Sequence, residues 1–218
     1  MDNLKSNIQH ALETNNLDSM ERLAITQKRV LSLLVRFAYD KESLVGWRAI
    51  KATGVVSKAL LPLEYMFLRE TIRKLLWSLT DESGGIGWSA PEIIGEIISA
   101  DPKRFADIIP ILAGAYDCEE DVFRPGVLYA FTLIAPAAPE LILPFVGLIQ
   151  RALRDKQPLV RYYAIQCVRL LKDKMNTDEL SQAVSIARGI VNDKSEVWIY
   201  NGDSFMGVVL GEEVASLV

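Results

Sequence analysis

Asp155-Lys156-Gln157-Pro158-Leu159-Val160-Arg161-Tyr162-Tyr163-Ala164 decides how the rest of the chain reads. It supplies an acidic residue, a short turn, and a valine–arginine step that opens an apolar helix. Weaker echoes lie on both sides. Asp40 precedes Gly46-Trp47-Arg48-Ala49, and Asp81 precedes Gly87-Trp88-Ser89-Ala90. Asp117 precedes Phe123-Arg124-Pro125-Gly126, and Asp193 precedes Val197-Trp198-Ile199-Tyr200. These aspartates stand 41, 36, 38 and 38 positions apart. A helical period of about 40 residues is what stacked helix pairs produce, because each pair buries its apolar face against its neighbours.

Working outward, residues 1–16 hold a short cap helix with Leu4, Ile8, Ala11 and Leu12 on one face, ended at Asn15-Asn16. Helix pairs are expected over 17–61, 62–100, 101–138 and 139–175, with a terminal helix and cap over 176–218. In the first pair, Ser19 is the expected N-cap of a helix running to Asp40, and the partner helix starts near Ser43. Pro62 suits the first position of the next helix, whose buried stripe is read as Leu63, Phe67, Ile72, Leu75, Leu76 and Leu79. Ser89-Ala90-Pro91-Glu92 has the form of a capping box. Asp101-Pro102 reads as a cap followed by a proline start. In the tail, β-branched and aromatic residues flank Asn201-Gly202, so residues 196–210 read as a β-hairpin. With no Pro- or Gly-rich linker between pairs, one continuous domain is expected over 1–218.

Length and composition narrow the field. The 218 residues suffice for a substantial core, and 50% apolar with 24% charged residues is ordinary for a soluble domain. A net charge of −4 opposes a general nucleic-acid binder, since phosphate attraction needs a basic surface. Cys118 and Cys167 fall in different pairs, form no CxxC unit, and read as reduced thiols in a cytoplasmic protein. No apolar run is long enough for a membrane span. His10 is the single histidine, which removes most zinc sites and any Ser–His or Cys–His pair.

The Asp155 to Arg161 spacing, with Val160 before the arginine and Ala164 three after it, resembles the HEAT-like repeat of phycobilisome-lyase-type, armadillo-like proteins. The resemblance covers most of the chain loosely and is specific at that one unit. It implies an all-α fold, a right-handed HEAT/armadillo-like solenoid of antiparallel helix pairs with a short β-hairpin as C-terminal cap. It also implies that Asp155 and Arg161 sit in an inter-unit ladder of aspartates and arginines, with Asp117 and Arg124 as a looser match. Tryptophan stands near the arginine position in the first two units. Proteins of this kind are mostly protein-binding scaffolds, with lyase-type subunits and some DNA-repair members, so fold alone assigns no function.

The chemistry-bearing candidates are few. Trp47, Trp88, Arg124, Arg161 and Trp198, with neighbours Arg48 and Tyr162, recur at comparable points in the units. Stacked, they would form an aromatic and arginine ridge of the kind enriched in binding hot spots. Equally, the indoles could pack between units while the arginines bind neighbouring aspartates. Arg124 is expected to be the more exposed and Trp88 partly buried. Asp81-Glu82-Ser83-Gly84-Gly85-Ile86-Gly87-Trp88 is either an anion nest at a helix start or a turn needing glycine; its two acids and the lack of a following lysine favour the turn. Asp117 to Asp121 has the carboxylates of a hard-cation site without the spacing of a calcium loop, and a solvated acidic turn fits better.

The function expected from these readings is a non-enzymatic protein-interaction scaffold or adaptor, with another protein as partner and neither cofactor nor metal. The alternative is an accessory lyase or a cofactor- or ligand-binding chaperone subunit, using Asp81, Glu82 and Arg124 near the 81–88 loop. A nucleic-acid-binding role ranks third.

Overall fold

A computed structural model of the chain describes residues 3–79, 87–118, 121–215 and 217. The described residues are mostly helical, with one two-stranded antiparallel sheet. Helix α1 (Asn3–Glu13) buries Leu4, Ile8, Ala11 and Leu12, the face its periodicity marks. Asn15 then takes a positive φ of 55°, a conformation asparagine tolerates better than most residues. The single helix expected before Asp40 is two short ones, α2 (Asp18–Thr26) and α3 (Arg29–Phe37), parted where Gln27 leaves helical φ/ψ. Ser19 is not an N-cap: it lies inside α2, and its hydroxyl donates to the Asn16 carbonyl.

Helix α4 (Leu44–Ser78) joins what the sequence divides at Pro62. Ser43 caps it by accepting from the Gly46 amide at 3.0 Å. Pro62 is inside, and Glu64 carries the break at φ −135°, ψ 38°. Proline lacks the N–H for the preceding turn and crowds its carbonyl, so the two halves bend without separating. The bend leaves Leu63 exposed, contrary to its place in the expected buried stripe, while Ile72, Leu75 and Leu79 are buried.

The later pairs follow the proline-led starts. Helix α5 (Ala90–Ser99) is followed by turns over 101–108 and α6 (Ile109–Gly114), so the Asp101-Pro102 start gives turns before it gives helix. Then come α7 (Arg124–Ile134), α8 (Val146–Ala152), α9 (Pro158–Leu171) and α10 (Thr177–Arg188). The first half of α4 packs on α5, α5 on α7, and α7 on α9, making one layer of second helices. One apolar cluster runs through the stack from Leu4 to Val214. The architecture is a HEAT-like stack of helix pairs.

Polar contacts repeat with the units. Asp155 accepts from the Gln157 amide at 2.9 Å, and Asp193 from the Ser195 amide at 2.9 Å. Asp40 does the same for Glu42 at 3.2 Å. Each aspartate thus folds its own turn with one oxygen. In Asp155 and Asp193 the second oxygen bonds to the unit before: Arg124 Nη1 to Asp155 at 3.2 Å, and Arg161 Nη2 to Asp193 at 2.6 Å. This is an inter-unit ladder. Asp117 stands outside it and pairs instead with Arg151 at the surface.

The C-terminal strands β1 (Glu196–Tyr200) and β2 (Phe205–Val209) form the hairpin, with Trp198 opposite Gly207. A four-residue loop joins them; Gly202 holds φ +107° and the Asn201 side chain accepts from the Asp203 and Ser204 amides. The hairpin covers more than the last unit. Its loop reaches the first one, where the Asn15 side-chain amide donates to the Gly202 carbonyl at 3.1 Å. Arg48 donates to the Leu12 and Glu13 carbonyls at the end of α1 and also to the Asp203 carbonyl. Helix α11 (Leu210–Ala215) follows and is tied to α9 by Arg169 and Glu213 at 3.0 Å.

Candidate functional site

The hairpin arches over the layer of second helices and leaves a half-open hollow of about 540 Å³ between them. Trp47 comes from α4, Glu92 from α5, Pro125 from α7, and Leu159 and Tyr163 from α9. Trp198 and Phe205 come from the hairpin, and Lys41 and Glu42 from the loop before α4. Four successive second helices therefore each contribute to one wall.

Aromatic packing sets the geometry. Tyr200 stacks on Trp47 with centroids 5.9 Å apart, and Phe205 meets Tyr200 edge-on at 6.2 Å. Trp47 meets Tyr129 at 5.4 Å, Tyr129 meets Tyr163 at 5.6 Å, and Tyr163 meets Tyr162 at 5.1 Å, all edge-on. The string runs unbroken from hairpin to α9. Edge-to-face and offset pairs at these separations favour fixed ring orientations. Burial pushes the Tyr129 and Tyr163 phenols well above their ordinary pKa, with nearby Glu96 adding to the shift at Tyr129 and Glu92 at Tyr163.

Two acids are built into α5 among its isoleucines. Glu96 accepts from Lys51 at 2.6 Å and from the Tyr129 hydroxyl, and it rests against Gly54 of α4. Glu92, only 3% exposed, accepts from Lys41 at 3.0 Å and rests against Gly126 of α7. An added Cβ at Gly126 would come within 2.5 Å of Glu92 Oε2, so the close approach needs glycine there. Lys41 also donates to the Trp88 carbonyl at 2.9 Å. Among the described residues, Glu92 Oε2 has no hydrogen-bond partner. The capping box read into Ser89 and Glu92 is absent. Ser89 instead donates to the Ala38 carbonyl at 2.6 Å, and Glu92 turns to Lys41.

The tryptophan and arginine series divides in two. Trp47 and Trp198 both line the hollow, Trp47 buried and Trp198 64% exposed. Trp88 lies beside it, sharing Lys41 and Glu42 with an adjoining shallow hollow. Arg124 and Arg161 belong to the ladder, Arg48 holds α1 to the hairpin loop, and Tyr162 packs on Tyr163. The exposure expected for the two index residues is reversed: Trp88 is 42% exposed, while the Arg124 side chain is 27% exposed. The ion pair with Asp155 draws the arginine inward, and Lys41 holds the backbone of Trp88 at the rim. Asp81, Glu82, Gly84 and Gly85 lie outside the described residues.

Sequence reasoning missed Lys41, Glu92, Tyr163 and Phe205. One signal was available: Glu92 and Glu96 stand four apart in Ala90-Pro91-Glu92-Ile93-Ile94-Gly95-Glu96-Ile97-Ile98, a helix apolar on every other side. Acids on one face of such a helix require buried partners.

No group of three or more His, Cys, Asp or Glu placed to hold a metal ion occurs among the described residues. Nor, among them, is any helix long and apolar enough to cross a membrane. Cys118 and Cys167 are free thiols, and burial pushes the Cys167 thiol well up.

No protein-family model matches the sequence, and no curated protein matches it. Among solved structures the chain is similar to the archaeal HEAT-like repeats protein from Thermococcus onnurineus NA1. Identity is 15%, covering 98% of this chain and 97% of that one, with a TM-score of 0.40. The architecture given above rests on the helix order and the ladder alone.

Proposed function

We propose that this protein is a non-enzymatic interaction module of the cytoplasm, and that it binds a segment of another protein at the hollow beneath the hairpin. The observation that carries this is that Trp47 and Trp198 both line one hollow walled by four successive helices. Tryptophan at a concave site contributes large contact area at small entropic cost, which is the usual anchor of an interface. The ladder arginines bear on the alternatives. Arg124 and Arg161 are committed to Asp155 and Asp193, and the chain carries net charge −4, both of which weigh against phosphate binding along the ladder.

Panning a random peptide library on the immobilised chain tests the reading. Enriched peptides should lose binding to Trp198→Ala and keep it for Met66→Ala, a control at an exposed residue away from the hollow. Enrichment that ignores Trp198, or none above the bare support, refutes it. Small-molecule binding has one observation in its favour, a volume inside the range of about 300–1,000 Å³ usual for such ligands. A compound that copurifies and is released on denaturation would favour that reading.

A further inference from the structure

We propose that the group the hollow accepts is an alkylated ammonium, in the first instance a methylated lysine side chain of the partner. The inference deepens the reading above and rests on it. The walls combine aromatic rings with an excess of negative charge. Trp47, Tyr163, Trp198 and Phe205 supply the rings, and Glu42 and Glu92 face a single lysine, Lys41. Lys41 is held by Glu92 at 3.0 Å and by the Trp88 carbonyl at 2.9 Å, so it is not available to an incoming anion. Glu42 is exposed and has no ion pair among the described residues. The site therefore carries one negative charge in excess, and the hairpin rings that keep exposed surface there, Trp198 and Phe205, suit a cation.

The kind of cation follows from the wall chemistry. Two carboxylates without further clustered oxygen ligands fall short of a calcium or magnesium cage. A primary ammonium is strongly hydrated and loses more on entering an aromatic hollow than a methylated one does. Methyl groups suit the rings. A trimethylated nitrogen, though, has no N–H, and Glu92 Oε2 is a buried acceptor with no partner among the described residues. One retained N–H would satisfy it, once a side-chain rotation carries Oε2 off Gly126. The hollow is thus best matched by a dimethyl- or monomethylammonium group.

Titration calorimetry on the whole chain decides the matter, using one short peptide with its central lysine unmodified, monomethylated, dimethylated or trimethylated. Dimethylaminoethanol serves as a free small-molecule probe. The dimethyl peptide is expected to bind at least about tenfold more tightly than the unmodified one, in keeping with cation–π recognition in a desolvated site. Trp198→Ala should abolish that preference, and Met66→Ala should leave it intact. Glu92→Gln, which keeps an acceptor and removes its charge, should narrow the preference for the dimethyl over the trimethyl peptide. Should Glu92→Gln fail to fold by circular dichroism, Glu42→Gln at the exposed rim replaces it and should weaken all cationic forms together. Equal affinity for all four peptides, with Trp198→Ala weakening each alike, overturns the ammonium proposal and leaves protein binding standing. Equal affinity for dimethylaminoethanol and the dimethyl peptide keeps the ammonium chemistry and overturns the protein reading. Displacement of the peptide by duplex DNA at low salt overturns both.

Discussion

Replacing Arg124 by alanine tests whether the ladder is structural. Arg124 donates from Nη1 to Asp155 and from Nε to the Tyr116 carbonyl, each at 3.2 Å. Its side chain is 27% exposed and that of Asp155 only 6%. A hydrogen bond to a charged partner contributes about 1.5–3 kcal/mol net, and one to a carbonyl about 1 kcal/mol. Asp155 is not left bare, because the Tyr116 hydroxyl and the Gln157 amide still donate to it at 2.9 Å each. Arg124→Ala should therefore cost about 3 kcal/mol, below the upper end for stranding a buried charge. For a chain of this size that is a fall in Tm of about 6–12 °C. Asp155→Ala removes the acceptor of all three bonds and should cost about 3–5 kcal/mol. Because the two variants lose one bond in common, the double variant should fall short of their sum by about 1–2 kcal/mol. Denaturant melts of the four proteins at one pH give the cycle. Additivity to within about 0.5 kcal/mol, or a cost for Arg124→Ala inside the ordinary surface range of about ±0.5 kcal/mol, refutes the ladder as a stabilising feature.

Trp88→Ala should cost only about 1–2 kcal/mol in the same melts, since the indole is 42% exposed and a fully buried one would cost about 3–5 kcal/mol. Gly95→Ala places a Cβ 2.5 Å from that of Ala130, pushing α5 from α7; a loss of about 1–3 kcal/mol is expected, restored in part by adding Ala130→Gly. Burial, then Asp155, raises the Tyr116 phenol, and burial raises that of Tyr163, so their stabilisation is complete below the ordinary tyrosine pKa and lost as pH climbs past it. Tyrosinate absorbance should show these groups ionising only together with unfolding, above about pH 10. Burial works to raise the Asp193 carboxyl, yet the bonds from Ser195 and Arg161 outweigh it and the net shift is downward. Its contribution is therefore present above the ordinary carboxylate pKa and lost as pH falls below it, a loss that Arg161→Ala should reduce, the Ser195 bonds remaining, in an acid titration followed by circular dichroism.

The parts legible in the sequence were those written locally. Leu4, Ile8, Ala11 and Leu12 recur at helical spacing, and α1 buries that set. Asn201-Gly202 between β-branched runs gave a hairpin, because the turn and its strands are neighbours in the chain. The break near Pro62 was legible as a position, while its outcome was not: whether a proline ends a helix or bends it depends on what packs around it. Glu92 read as a capping residue since spacing alone cannot show that Lys41 lies beside it. The hollow was illegible for the same reason at larger scale. Trp47 and Phe205 approach one another only after every unit between them has stacked, and no local pattern records that.

The hydrogen bond from Asn15 to Gly202 joins positions 187 apart. Helical stacks ordinarily gain speed from neighbour contacts, and their outermost members open independently. Here the first and last members share a fastening. The chain entropy lost in closing so long a loop grows only logarithmically with its length, and a stack already assembled has placed the two ends side by side. The fastening can then form late and cost the folding rate little, while every route that begins by peeling off an end must first break it. With the folding rate unchanged, all that the fastening contributes to stability is read in the unfolding rate, so the hairpin lengthens the lifetime of the folded chain by the full measure of what it adds.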